Sequence, residues 1–311
     1  MFLEKAYYGK TQWYWFVLSL LIIFIAWQGI GAIPYTVYIL IQNFNIPGGL
    51  SQEMLLPKTN LELGIFLLSF IIGFFAIFLC IVLIHQRTCS SVVTGRNKID
   101  YKRILFGFVI WGALSVLSIA SSVITSDNVI FQFDAPKFIG LLCVSLLLLP
   151  FQTSFEELFF RGYLMQWFGI LFKYRWIPLL ATSLCFGLMH GVNPEVKDFG
   201  FWVAMPQYIL IGLILGYVTI KDDGTELALG LHMANNSILS LAVTSDSSAL
   251  QTAALFKDMN PSMSYMDSVT ILIAGIIFIY ICNRKYHFMG NNPLIGKIEE
   301  PAVAITEGEE K

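Results

Sequence analysis

This sequence predicts an all-α, polytopic membrane protein with about eight transmembrane helices. Three observations carry that prediction. Of the 311 residues, 56% are hydrophobic and 13% charged, about half the charge fraction of an ordinary soluble domain. The apolar residues fall into long runs near the ~20 residues that cross a bilayer as a helix. The basic residues gather in alternate loops, as they do in chains that cross a membrane repeatedly.

The first run, Trp15 to Ile41, exceeds one crossing, and Gly29, Gly31 and Pro34 predict a kink in it. Lys5 and Lys10 precede it as they would a signal peptide. The run is too long for one and has no clear small-residue cleavage site, so a retained first span is expected. A polar loop follows from Asn43 to Asn60, with Pro47, Gly48 and Gly49. The second span is Ile65 to Ile84, closed by His85, and then comes the most basic loop, with Arg87, Arg96, Lys98, Lys102 and Arg103. The third span is Ile104 to Ile124, and the loop from Thr125 to Pro136 has Asp127 and Asp134 but no base. A fourth span starts near Phe138, with Pro150 as its expected interruption. The remaining spans are Trp176 to His190, Phe201 to Ile220, Leu227 to Val243 and Val269 to Cys282.

An even number of spans puts both termini on one side. The basic loop assigns that side to the cytoplasm, giving a multi-pass plasma-membrane protein with both termini cytoplasmic. The expected organisation is an N-terminal membrane part over 1–136, a membrane core over 137–289 and an acidic, disordered cytoplasmic tail over 290–311. Five cysteines, mostly inside apolar runs, read as packing residues rather than a disulfide framework. A net charge of −2 gives no reason to expect a nucleic-acid partner. The partners expected are the lipid bilayer and a membrane-associated peptide or protein substrate.

The chain is organised around Ser154-Phe-Glu-Glu-Leu-Phe-Phe-Arg-Gly162, two adjacent acids and an arginine in apolar surroundings. An ionised side chain at this depth costs about 2.5–3.5 kcal/mol or more. Glu157 and Arg161 are four apart and share a helix face, whereas Glu156 points about 100° away. Two further spans also carry polar groups. Phe186-Gly-Leu-Met-His190 ends the fifth, and His232-Met-Ala-Asn-Asn236 lies inside the seventh, with His232 and Asn236 on one face. His85 and His287 sit at span ends and read as interfacial.

Taken singly, each of these residues has an ordinary explanation. Glu157 and Arg161 can be a helix salt bridge, an intramembrane His or Asn a hydrogen bond between helices, and Phe186 simple packing. Together they suggest one shared, wet cavity. A partly desolvated Glu156 can take a proton from water, and His190 can orient that water or relay the proton. His232 and Asn236 are suitable donors to an oxyanion. A Glu156–His190–His232 set holding zinc is the alternative, and residue types alone leave both open. One geometric difficulty stands. His190 lies about 21 Å along a straight fifth helix, whereas Glu156 reads as closer to the inner surface.

These three stretches resemble the pattern Glu-Glu-x-x-x-Arg, Phe-x-x-x-His, His-x-x-x-Asn of the CAAX-protease and bacteriocin-processing family of intramembrane endopeptidases. All three parts are present, in order, over roughly 151–243. The resemblance implies an all-helical core whose catalytic cavity opens to the cytosol or to lipid. It implies Glu156 as general base assisted by His190, with His232 and Asn236 stabilising the oxyanion and Glu157, Arg161 and Phe186 supporting them. Eukaryotic relatives remove the last three residues of prenylated proteins, and bacterial ones are linked to peptide maturation and bacteriocin self-immunity. A bacterial intramembrane peptidase is the leading reading. A non-catalytic immunity or scaffolding protein is the alternative, and a proton-coupled transporter is ranked third.

Overall fold

The computed structural model describes residues 1–44, 52–288, 290 and 292–301. Every predicted span is helical: α1 (Trp13–Gln42), α2 (Asn60–Ile84), α3 (Tyr101–Thr125), α4 (Ala135–Phe172), α5 (Trp176–Met189), α7 (Phe201–Lys221), α8 (Glu226–Ala242) and α9 (Tyr265–Tyr286). A short helix, α6 (Pro194–Phe199), joins α5 to α7. Six of these helices are long and apolar enough to cross a membrane. The other two, α5 and α8, have 14 and 17 residues. Of these, α5 packs on α7 with one face exposed (Leu180, Leu184 and Leu188), and α8 is an inner helix against α3, α4 and α7.

Close approach of α3 and α8 follows from two glycines. A Cβ on Gly107 would meet the Leu227 carbonyl, and one on Gly230 would meet the Ile104 carbonyl and the Phe108 amide. Backbone contacts of this kind are how small residues lock membrane helices together. Gly230→Ala is therefore expected to destabilise the protein by about 1–3 kcal/mol, the usual cost of overpacking. A lower midpoint in detergent thermal unfolding checks it, and an unchanged midpoint would contradict it.

The kink in α1 is present. A π turn at Ile25–Ile30 and a two-residue break precede a second segment with Pro34 in its first turn. Pro150, by contrast, does not interrupt α4, which passes straight through it. The irregularity lies beyond the acids, as a π turn at Leu158–Leu164. There a Cβ on Gly162 would strike the Val92 carbonyl, so this turn needs glycine for its approach to the basic loop.

On one face a small sheet ties three loops together. Its strands β1 (Val129–Phe131), β2 (Val243–Thr244) and β3 (Phe256–Asp258) run in the order β1-β3-β2. Val129 pairs antiparallel with Asp258, and Val243 pairs parallel with Phe256. Nothing in the hydropathy pattern marks strands of two or three residues.

The opposite face is held by ion pairs. Arg96 bridges Asp222 and Glu226 at 3.1 Å each, and Arg103 also pairs with Asp222. The Arg175 guanidinium donates to Glu4 at 2.6 Å.

Two expectations are corrected here. His85 is fully buried rather than interfacial. Its Nδ1 meets the Lys10 carbonyl at 3.0 Å and its Nε2 the Tyr163 hydroxyl at 2.9 Å, so it satisfies polar groups where α1, α2 and α4 meet. His287 is exposed. The expected tail is also ordered in its first part. The Trp176 amide donates to Leu294 at 3.0 Å, the Ile298 amide donates to Lys173 at 2.8 Å, and Ile298 is 2% exposed. Leu294 and Ile298 bury against Phe2, Leu3 and Ile220, which pins the segment. Residues 302–311, with Glu307, Glu309 and Glu310, lie outside the described residues, as do Pro47, Gly48 and Gly49. All five cysteines are free.

Candidate functional site

Four helices bring the polar residues together. The depth difficulty disappears because α4 continues sixteen residues past Glu156, to Phe172. That is about 24 Å at 1.5 Å per residue, close to the ~21 Å that α5 rises from Trp176 to His190. Both residues line the same cavity.

The two acids have different environments. Glu157 is sealed, with no exposure. Its Oε1 accepts from Arg161 Nη1 at 2.7 Å and from His232 Nδ1 at 2.7 Å. Arg161, equally buried, also donates to the Gly212 carbonyl at 3.2 Å and lies 4.4 Å from the centre of the Phe186 ring. The i,i+4 pair read from the sequence is therefore present, tied to α7 and α8. Phe186 is 2% exposed and contacts both the His190 and His232 rings, so it packs the three polar helices against one another.

Glu156 is held by one oxygen, and the other is buried without a hydrogen-bond partner. Gln152, four residues earlier on the same helix face, donates to its Oε1 at 2.5 Å. Its Oε2 has no hydrogen-bond partner and lies 3.6 Å from His232 Nε2, beyond direct hydrogen-bond range. Gln152 in turn accepts from Asn236 Nδ2 at 3.0 Å. Asn236 Oδ1 accepts from Asn235, whose own Oδ1 accepts from Trp111 Nε1 on α3, at 3.1 Å each. One chain of hydrogen bonds thus runs from α3 through α8 to the carboxylate on α4.

The histidine tautomers follow from their partners. His190 Nδ1 is 2.7 Å from the Phe186 carbonyl, which can only accept, so the proton sits on Nδ1 and Nε2 is left as acceptor. His232 Nδ1 faces the Glu157 carboxylate in the same way. Donation from its Nε2 therefore requires the doubly protonated ring.

The single shared cavity expected from the sequence is in fact two, joined at His190. The first, about 480 Å³, is largely apolar, walled by Trp27, Phe70, Phe155 and Phe159, with Glu156 at its edge. The second, about 360 Å³, holds His232, Asn235 and Asn236 with Gln207 and Tyr208. It also holds Glu195, which the sequence reading passed over. The Ala249 amide donates to Glu195 Oε1 at 2.9 Å, and burial pushes this carboxyl above its ordinary range. Tyr208 lines the same cavity, accepts from Asn193 Nδ2 at 3.1 Å and stacks on the His190 ring at 4.6 Å. Gln152 was also missed, although its signal was legible as a polar residue one turn before an intramembrane acid. Glu195 and Tyr208 come close to His190 only through the fold.

Zinc does not fit this arrangement. Among the described residues no three His, Cys, Asp or Glu side chains converge as a metal-binding group.

The fold and this cluster define a polytopic helical membrane protein with a carboxylate–imidazole–amide centre buried between its helices. Residues 137–238 match the family model described as type II CAAX prenyl endopeptidase Rce1-like. The chain is also 35% identical over 297 residues to a Bacillus subtilis (strain 168) protein described as uncharacterized protein YyaK, covering 91% of this chain and 97% of that one. The chain belongs to the CAAX-protease (CPBP) family.

Proposed function

We propose that this protein is an intramembrane endopeptidase that hydrolyses a peptide bond of a membrane-associated peptide or lipidated protein tail. The single observation that carries this is the inequality of the two acids. Glu157 lines neither cavity and its Oε1 is held by Arg161 and His232, while Glu156 lines the larger cavity and accepts from Gln152.

Water sits between Glu156 Oε2 and the scissile carbonyl. Glu156 takes its proton as the oxygen attacks, and His190 Nε2 accepts a hydrogen bond from the same water and fixes its direction. The developing oxyanion is met by His232 Nε2–H and by the second Nδ2 hydrogen of Asn236, the first being held by Gln152. Collapse expels the amine, which receives the proton held by Glu156. Glu157 keeps the His232 ring oriented, and Arg161 holds Glu157. In this reading the termini and the basic loops lie on the cytoplasmic side of a plasma membrane, an orientation that the charge asymmetry supports. The core over 137–289 carries the chemistry, and 1–136 walls the apolar cavity.

Gln152 aims the base. Gln152→Leu is expected to lower kcat by about 10–100-fold, the cost of a misplaced reacting group, with a smaller change in KM. Steady-state cleavage compared with a retained unfolding midpoint checks it; unchanged kcat would remove Gln152 from the account. The function itself is tested with quenched fluorescent peptides, prenylated and plain, incubated with the purified protein in nanodiscs. Cleavage supports the reading. Solute movement driven by a pH gradient, with no cleavage of any peptide, would favour a transporter instead.

A further inference from the structure

The two faces of the molecule differ in charge and in what reaches the site. One face is assembled from the N-terminal segment, the loop after α2, the α4–α5 turn, the α7–α8 turn and the segment after α9. The Phe2 amide donates to Asp223 at 2.6 Å, the Gly95 amide donates to Asp223 at 2.9 Å, and the Arg175 guanidinium donates to the Lys297 carbonyl at 2.9 Å. By sequence position, this face takes thirteen lysines and arginines, and the opposite one takes four (Lys58, Lys137, Lys197 and Lys257). The opposite face carries the loops after α1, α3, α5 and α8.

Both cavities lie toward that second face. The first is lined by Ala32 and Ile39 of the far half of α1, by Phe66 near the start of α2, and by Leu55 and Val192 from loops. The second is lined by Ile119 near the end of α3, Gln207 near the start of α7, Leu239 near the end of α8, and Met263 just before α9. Among the described residues, neither cavity takes a lining residue from the basic-face loops. A third recess of about 260 Å³ shares Val192 with the first and is lined by Lys58, Lys197, Asp198, Asp246 and Gln251. Below the site, toward the basic face, the chain is closed. Glu157, Arg161, Tyr163, Met165 and Gln166 are all at most 1% exposed.

We infer that the catalytic site is reached from the face opposite the basic loops, so the peptidase acts on polypeptide presented at the extracytoplasmic side of the membrane. The inference rests on the peptidase reading for its chemistry and on the charge asymmetry for its sidedness. The family resemblance implied a cytosolic or lipid-facing opening, and the closed floor argues against the cytosolic one. The substrate class that fits is a membrane-anchored or already translocated peptide. Its polar chain enters past the charged recess at Val192, and an apolar anchor can lie in the larger cavity.

Thiol accessibility in intact cells tests sidedness and access without depending on cleavage. Cys143→Ser and Cys185→Ser give a parent whose exposed thiol is Cys89, on the basic face. Val192→Cys and Ser115→Cys are added singly, one for each cavity, and each variant is checked for a monodisperse size-exclusion profile. A membrane-impermeant maleimide applied outside is expected to label both added cysteines at least about ten times more than the parent. Cys89 is expected to react only after permeabilisation. Labelling of Cys89 from outside, or of the added cysteines only after permeabilisation, would overturn the inference. Labelling of Val192→Cys alone would also overturn it, because the cavity that holds His232 and Asn236 would then be shut to that face. Failure of the peptidase reading would appear separately, as an absence of cleavage with this labelling pattern intact.

Discussion

Glu156→Gln is expected to reduce peptide cleavage by about 10³-fold, within the range that a general base contributes. The substitution is nearly isosteric. A glutamine oxygen at the Oε1 position still accepts from Gln152, so the local packing survives. What is lost is the group that takes the proton from water. Because only the reacting step is touched, KM should stay within a few-fold and the unfolding midpoint should hold. Full kinetics on one cleaved peptide, with detergent thermal unfolding alongside, check both halves. The contrast is Glu157, whose burial keeps it from substrate. A loss there would come with a disturbed fold around His232 and Arg161.

The largest expected effect on stability is at Arg161. Truncation to Ala removes the partner of a carboxylate with no solvent exposure and abandons the Gly212 carbonyl and the face of the Phe186 ring. Breaking one side of a buried pair costs about 3–5 kcal/mol, because the remaining carboxylate has no water and keeps only His232 Nδ1 as a partner. Arg161→Ala should therefore fail to accumulate as a monodisperse protein. Adding Glu157→Gln to it should recover part of the loss, since the stranded charge is then gone. Size-exclusion yield of the single and double variants decides. A double variant no better than the single one would mean that Arg161 acts through packing rather than charge.

Much of this architecture was legible in the sequence because lipid imposes a simple rule. A chain in hydrocarbon must satisfy its own backbone, so long apolar runs become helices. The positions of the eight helices followed from that, six of them long and apolar enough to cross a membrane, and helix geometry gave the i,i+4 pairing of Glu157 with Arg161. Features set by contacts between distant segments were not legible. Pro150 carries a local signal for a break, yet packing keeps α4 continuous and places the π turn at Leu158–Leu164, where Gly162 approaches Val92. His85 looked interfacial because it closes a span. Its burial depends on Tyr163, 78 positions away. The acidic composition near the C-terminus suggested disorder, but Leu294 and Ile298 meet an apolar patch that exists only once the chain ends come together. At the site, the three motifs located the acids, histidines and Asn236. The division into two cavities, and the arrival of Glu195 and Tyr208 beside His190, come from the α5–α7 connection and have no sequence pattern.

The central claim is that Glu156 activates water for direct attack on a peptide bond. Its most direct test is mass spectrometry of the products formed in heavy-oxygen water by the wild type and by Glu156→Gln, both in nanodiscs. The account predicts one heavy oxygen in the new carboxyl terminus of the wild-type product within a single turnover, and no product above background from the variant. Equal product from both proteins would contradict it.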